Sequence, residues 1–127
     1  MNHLNSVLIE GVIKDRAQLR ETSDGTSVCT FSVVNKWFYQ DHEYVSNFIV
    51  EVGGKLGEAV LDKGKKGRGV RVVGWLKEEQ HIGGKKQQSR IIIMAAHVEF
   101  RFEQEVENGL RKANKRNGRG QGKIYET

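Results

Sequence analysis

The sequence predicts an all-β domain: a small five-stranded barrel with one short helix between its third and fourth strands, followed by a disordered tail. Three observations carry this expectation. Short runs rich in Val, Ile and Phe recur up to residue 103, and one stretch among them has helical spacing instead. Beyond that point the apolar residues thin to Val106, Leu110, Ala113, Ile124 and Tyr125.

The strand runs are "SVLIEGVI" (6–13), "SVCTFSVV" (27–34), "NFIVEV" (47–52), "GVRVVGWL" (69–76) and "RIIIMAAHVEF" (90–100), rich in the β-branched and aromatic residues that suit a pleated surface. In the third run, alternation sends Phe48, Val50 and Val52 toward the core and Asn47, Ile49, Glu51 and Gly53 outward. "KLGEAVLDKG" follows, with Leu56, Ala59, Val60 and Lys63 at helical spacing and Gly64 as a stop. The turns "SDGT" (23–26) and "IGGKK" (82–86) join neighbouring strands, the second as a hairpin between the fourth and fifth. This order is that of the Greek-key OB-fold, whose open face commonly holds oligonucleotides.

The domain is expected over residues 1–102, since 127 residues at 37% hydrophobic content supply one modest core. A net charge of +5 favours a polyanionic partner. Residues 103–127 form a basic tail in which Arg111, Lys112, Lys115, Arg116, Arg119 and Lys123 are uninterrupted by any acid from 108 to 123. It reads either as an arm that contacts phosphates or as a solvated tail. The single Cys29 excludes an internal disulfide, and with no leader or long apolar run the expected location is cytoplasmic, nucleoid-associated, with no membrane partner.

Catalytic and metal chemistry find no support. His3, His42, His81, His97 and Cys29 lack zinc spacing, and no nucleophile motif is present, so no enzyme and no cofactor are expected. Gly53-Gly54-Lys55 suggests a phosphate loop, but Leu56 stands where Ser or Thr is required and no glycine precedes at the needed offset. Gly54 is expected instead to turn the chain from strand into helix.

The blocks "NSVLIEGVIKD", "RETSDGTSVCTFSVVNKWF", "GGKLGE", "KGRGVRVVGWLK" and "HVEFR", in this order over residues 2–101, resemble bacterial single-stranded DNA-binding protein. The resemblance implies an OB-fold protomer, usually a homotetramer with a dimer still open, that wraps single-stranded DNA with little sequence preference in replication, recombination or repair. Rings stack on bases and cations follow the phosphates.

Residue by residue, the resemblance places Tyr39 where the family presents a tryptophan, with Trp37 on the same side, Lys36 adding charge beside it and Tyr44 extending the surface. The alternative is that Phe38 packs inward while Trp37 and Tyr39 cover a subunit contact. Asn47 and Gly53 stand where the family displays rings, and His81 replaces a further tryptophan. Arg71, Val73, Trp75 and Lys77 share a face, with Trp75 a substitute ring or an interface residue, yet Glu78 and Glu79 stand where cations are usual. Arg20, Lys55, Lys77, Lys85 and Lys86 are the remaining candidates for phosphate contact, each otherwise an exposed surface charge. At about 1–3 kcal/mol per stacked base, the missing rings imply affinity lower by roughly a hundredfold. "GQGKIYET" lacks the family's acidic tip, so its usual partner recruitment is not carried over. Two functions follow: a single-stranded DNA-binding module, or an OB-fold assembly protein with weak or lost DNA binding.

Overall fold

The computed structural model describes residues 1–22, 24–83 and 86–101, with the backbone alone at 81–83, 86 and 87. Its elements are β1 (Val7–Ile13), β2 (Gln18–Glu21), β3 (Ser27–Tyr39), β4 (His42–Val52), α1 (Gly54–Lys63), β5 (Gly69–Gly83) and β6 (Lys86–Arg101). The strand order β1-β5-β6-β4-β3-β2 is closed by β1 pairing with β3 at Val12↔Val34 and Ile13↔Val33. Five strands thus form the barrel, β2 flanks it on β3, and α1 lies between the third and fourth barrel strands. β4 runs parallel to β6, with Val50 opposite Ile93, and the other pairings are antiparallel. This is the expected OB-fold.

Alternation on the inner pleats builds the core. Phe31 and Val33 of β3, Val50 and Val52 of β4, Val70 and Val72 of β5 and Ile93 and Val98 of β6 are all buried together. Val60 of α1 is also buried there, and Leu56 and Leu61 pack against the cluster. Closure depends on Gly11, where a Cβ would fall 2.7 Å from Val33 Cγ1 and against the Val34 carbonyl. Opposite the step from Val73 to Gly74 the β6 register skips Ala96, a bulge that bends the wall without changing the alternation of β5. Gly54, at φ 62, carries the turn from β4 into α1 as expected.

Three local expectations are corrected. β2 is an additional strand: its four residues "QLRE" offer too short a pattern to read, and it forms by pairing with β3 from Gln18↔Thr30 to Glu21↔Ser27. The second and third predicted strands are longer, because β3 and β4 continue beyond the barrel as a twisted ribbon. A two-residue turn joins them at Gln40 and Asp41, both at positive φ (49 and 64), as tight hairpins require. Finally, Glu51 is 1% exposed and Phe48 39% exposed, the reverse of their expected environments. Arg20 of β2 reaches over to pair with Glu51, whereas Phe48 lies where the ribbon begins to leave the core.

Candidate nucleic-acid interface

The ribbon is the first part of the site. Trp37, Tyr39, His42 and Tyr44 share one of its pleats, since Trp37 pairs with Tyr44 and Tyr39 with His42. The Trp37 and Tyr44 rings stack with centroids 4.4 Å apart and planes at 17°, and His42 meets Tyr44 edge-on at 6.5 Å. Trp37, Tyr39 and Tyr44 remain 39, 38 and 40% exposed, so the rings are held in place while still presenting area to solvent. Lys36 sits on the opposite pleat rather than beside Trp37, with Nζ 3.8 Å from Glu43 Oε1. Both side chains are exposed, and such a pair is worth at most about 1 kcal/mol.

The second part lies across the barrel wall on the outer pleat. Arg16, Gln18, Arg20, Thr30, Ser32, Ile49 and Arg90 line a cleft of about 300 Å³, and Arg20, Glu79, Gln88, Ser89 and Arg90 line an adjoining one of about 270 Å³. Four charges lie between them. Arg20 Nη2 donates to the buried Glu51 Oε2 and also to Glu79 Oε2 at 3.1 Å. Arg90 Nη2 donates to the other Glu79 oxygen at 2.9 Å. Hydrogen bonding to Glu51 raises the Arg20 guanidinium pKa further. For Glu79, burial pushes upward, but the hydrogen bonds from Arg90 and Arg20 outweigh it and hold the carboxyl below its ordinary range.

Trp75 lies on β5 opposite Met94, 44% exposed, on the same pleat as Arg71, Val73 and Lys77. Leu8 of β1 pairs with Val73, which makes Leu8, Val73 and Trp75 a neighbouring set of exposed apolar side chains. Arg71 is engaged by carboxylates, with Nη2 2.9 Å from Glu10 Oε2 and Nη1 4.0 Å from Glu99 Oε2; Arg101 also reaches Glu10. Asn5 fixes the segment before β1 to β5, donating to the Leu76 carbonyl at 2.7 Å and accepting from the Leu76 N–H at 2.8 Å.

The residues singled out from sequence therefore fall on separate surfaces: Trp37, Tyr39 and Tyr44 on one pleat of the ribbon, Lys36 on its other pleat, and Arg20, Trp75, Lys77 and Arg71 along the barrel wall. Lys55 is exposed in the first turn of α1. Asn47 is exposed, and nothing lies within 4 Å of a Cβ built on Gly53. The His81, Lys85 and Lys86 side chains, and Arg111, Lys112, Lys115, Arg116, Arg119 and Lys123 of the tail, lie outside what is described. Sequence reasoning missed Arg90. Counting register back from the predicted turn at 82–86 would have paired it with Glu79. It also missed Lys63, Lys65 and Arg68, which with Asp62 and Phe100 line a cleft of about 640 Å³ below α1, Arg68 lying 5.6 Å from the Phe100 ring centroid. Among the described residues no group of three or more His, Cys, Asp or Glu is placed to hold a metal, and no helix is long and apolar enough to cross a membrane.

A closed five-stranded barrel with its helix after the third barrel strand, exposed rings on a protruding ribbon and arginines in clefts on its wall defines an OB-fold protein with a surface suited to an extended polyanion. The model of the single-strand binding protein family matches residues 4–101, and the chain belongs to that family. Its structure is similar to that of Plasmodium falciparum SSB in complex with ssDNA, with a TM-score of 0.69 and 20% identity over 80% of this chain and 97% of that one. It is also similar to a deletion mutant of the single-stranded DNA binding protein from Thermus aquaticus, with a TM-score of 0.65 and 21% identity over 77% of this chain and 50% of that one. This chain thus matches about half of the Thermus aquaticus chain, and at these identities the likeness is one of fold. No curated protein matches it.

Proposed function

We propose that the protein binds single-stranded DNA without strong sequence preference and protects it during replication, recombination or repair. The observation that carries this reading is the exposed Trp37–Tyr44 stack on the ribbon of a single-strand binding family barrel. Every base has a π-face, so rings fixed in this way accept any base. In this reading Tyr39, Trp37, Trp75 and His81 stack, while Lys36, Lys55, Lys77, Arg71 and Arg20 meet phosphates. Arg71 does so by exchanging carboxylate partners, and Arg20 without leaving Glu51. Residues 1–102 form the binding unit, and 103–127 are a basic arm that lies along the strand through Arg111, Lys112, Lys115, Arg116 and Arg119. The unit assembles with copies of itself, as a homotetramer or a dimer. Exposed Leu8 and Val73 supply an apolar surface for that contact. No catalytic role is proposed.

A second reading, an assembly protein with weak or lost DNA binding, is favoured by Asn47 and Gly53, which present no ring on the wall. Titration with poly-dT at two salt concentrations, followed by tryptophan fluorescence, separates the two. The first reading expects quenching and a log–log salt slope of about −0.7 per phosphate contact. No quenching even at about 20 mM salt overturns it.

A further inference from the structure

We infer that Glu79 is a built-in competitor for the phosphates, an anion that bridges Arg20 and Arg90 until a nucleic acid displaces it from Arg90. The inference rests on the single-stranded DNA-binding reading above. Glu79 bridges the two arginines with one oxygen each, at 3.1 Å from Arg20 and 2.9 Å from Arg90, where the two wall clefts meet. The two arginines are held unequally. Arg20 has a second and permanent anion in Glu51, whose carboxylate is 1% exposed, and so cannot leave without stranding a buried charge. Arg90 has Glu79 as its anion among the described residues, its side chain is 43% exposed, and it lines both clefts. Here Arg90 is the cation that turns to the incoming phosphate, and Arg20 is the anchor that retains Glu79.

Two cations and two carboxylates leave this part of the wall neutral, so a phosphate gains little attraction until it replaces a carboxylate. Each phosphate contact made by such exchange exposes Glu79 beside the strand, which lowers affinity and blunts the salt dependence. Glu78, the adjacent acid, provides the comparison: it lies on the opposite pleat, is exposed, and accepts a hydrogen bond from Gln80 at 2.8 Å, so removing it changes net charge equally without releasing an arginine.

The test is titration of the intact chain and its Glu79→Gln and Glu78→Gln variants with a dT oligomer at two salt concentrations. Glu79→Gln is expected to bind about fivefold more tightly at low salt, with a slope steeper by about 0.7 for the phosphate contact released. Glu78→Gln is expected to show no change of slope. Equal gains and slopes in the two variants overturn the inference and leave the DNA-binding reading standing. If the unaltered chain fails to bind while Glu79→Gln binds, the native function falls and the competitor role stands; if neither binds, both fall. Should Glu79→Gln not fold, Glu79→Thr, a strand-forming residue without the carboxylate, decides the matter, with a steeper slope again expected and an unchanged slope overturning the inference.

Discussion

Trp37 and Tyr44 face each other across the β3–β4 ladder and stack at 4.4 Å and 17°, one face of each ring buried on the other. The stack exists before any base arrives, so a base adds to it at an outer face, without ordering a mobile ring. Trp37→Ala and Tyr44→Ala are each expected to weaken poly-dT binding by about 1–3 kcal/mol. The double variant should lose about 0.5–1.5 kcal/mol less than the sum, the coupling typical of an aromatic pair. Strict additivity in the titrations would show that the rings act independently.

Arg20 and Glu51 form a second pair with a different physical basis. Glu51 is 1% exposed, and removing its cation leaves a buried carboxylate uncompensated. Arg20→Met is expected to lower stability by about 3 kcal/mol in urea denaturation, whereas Arg20→Met with Glu51→Leu should recover most of that loss. A single variant as stable as the original chain would show that water reaches Glu51.

The bare positions of the wall have room for rings. Gly53 has φ −102 and open space at its Cβ, and Asn47 is exposed on β4. Gly53→Phe and Asn47→Trp are each expected to tighten oligo-dT binding by about 1–3 kcal/mol if the strand crosses this face. No gain in either titration would move the path to the ribbon alone.

Asp24 in the β2–β3 turn accepts a hydrogen bond from the Thr22 hydroxyl and another from the Thr26 N–H, the latter at 3.1 Å. The Thr22 contact first, then Thr26, lowers its carboxyl pKa from 3.8 to about 2. Because the folded value lies below the unfolded one, the turn contacts are fully present above pH 3.8 and are lost as pH falls through about 2. The Thr26 amide signal should titrate with a midpoint near 2; a midpoint at 3.8 would show that the contacts do not hold the charge.

Residues 103–127 carry six uninterrupted cations from 108 to 123. Their deletion is expected to flatten the poly-dT salt slope by about 0.7 for each cation that touches a phosphate. An unchanged slope would make the segment a solvated tail.

The sequence by itself determined the barrel. Inner pleats such as Phe31 and Val33, or Val70 and Val72, read clearly because one face of each strand meets the core and the other does not. The helix read equally well, as Leu56, Val60 and Leu61 cover one end of that core. β2 and the ribbon were not legible, since "QLRE" and "NKWFYQDHEY" bury no consistent face and form through pairing with a neighbouring strand rather than by packing on the core. The candidate site depended still more on tertiary structure. No local pattern predicts that Glu51 is buried, that Arg20 from β2 reaches it, or that Glu79 of β5 joins Arg20 to Arg90 of β6. Charge placement across a sheet is a matter of register and closure, and the hydrophobic alternation that specifies a strand carries no information about which charges its neighbours will set against it.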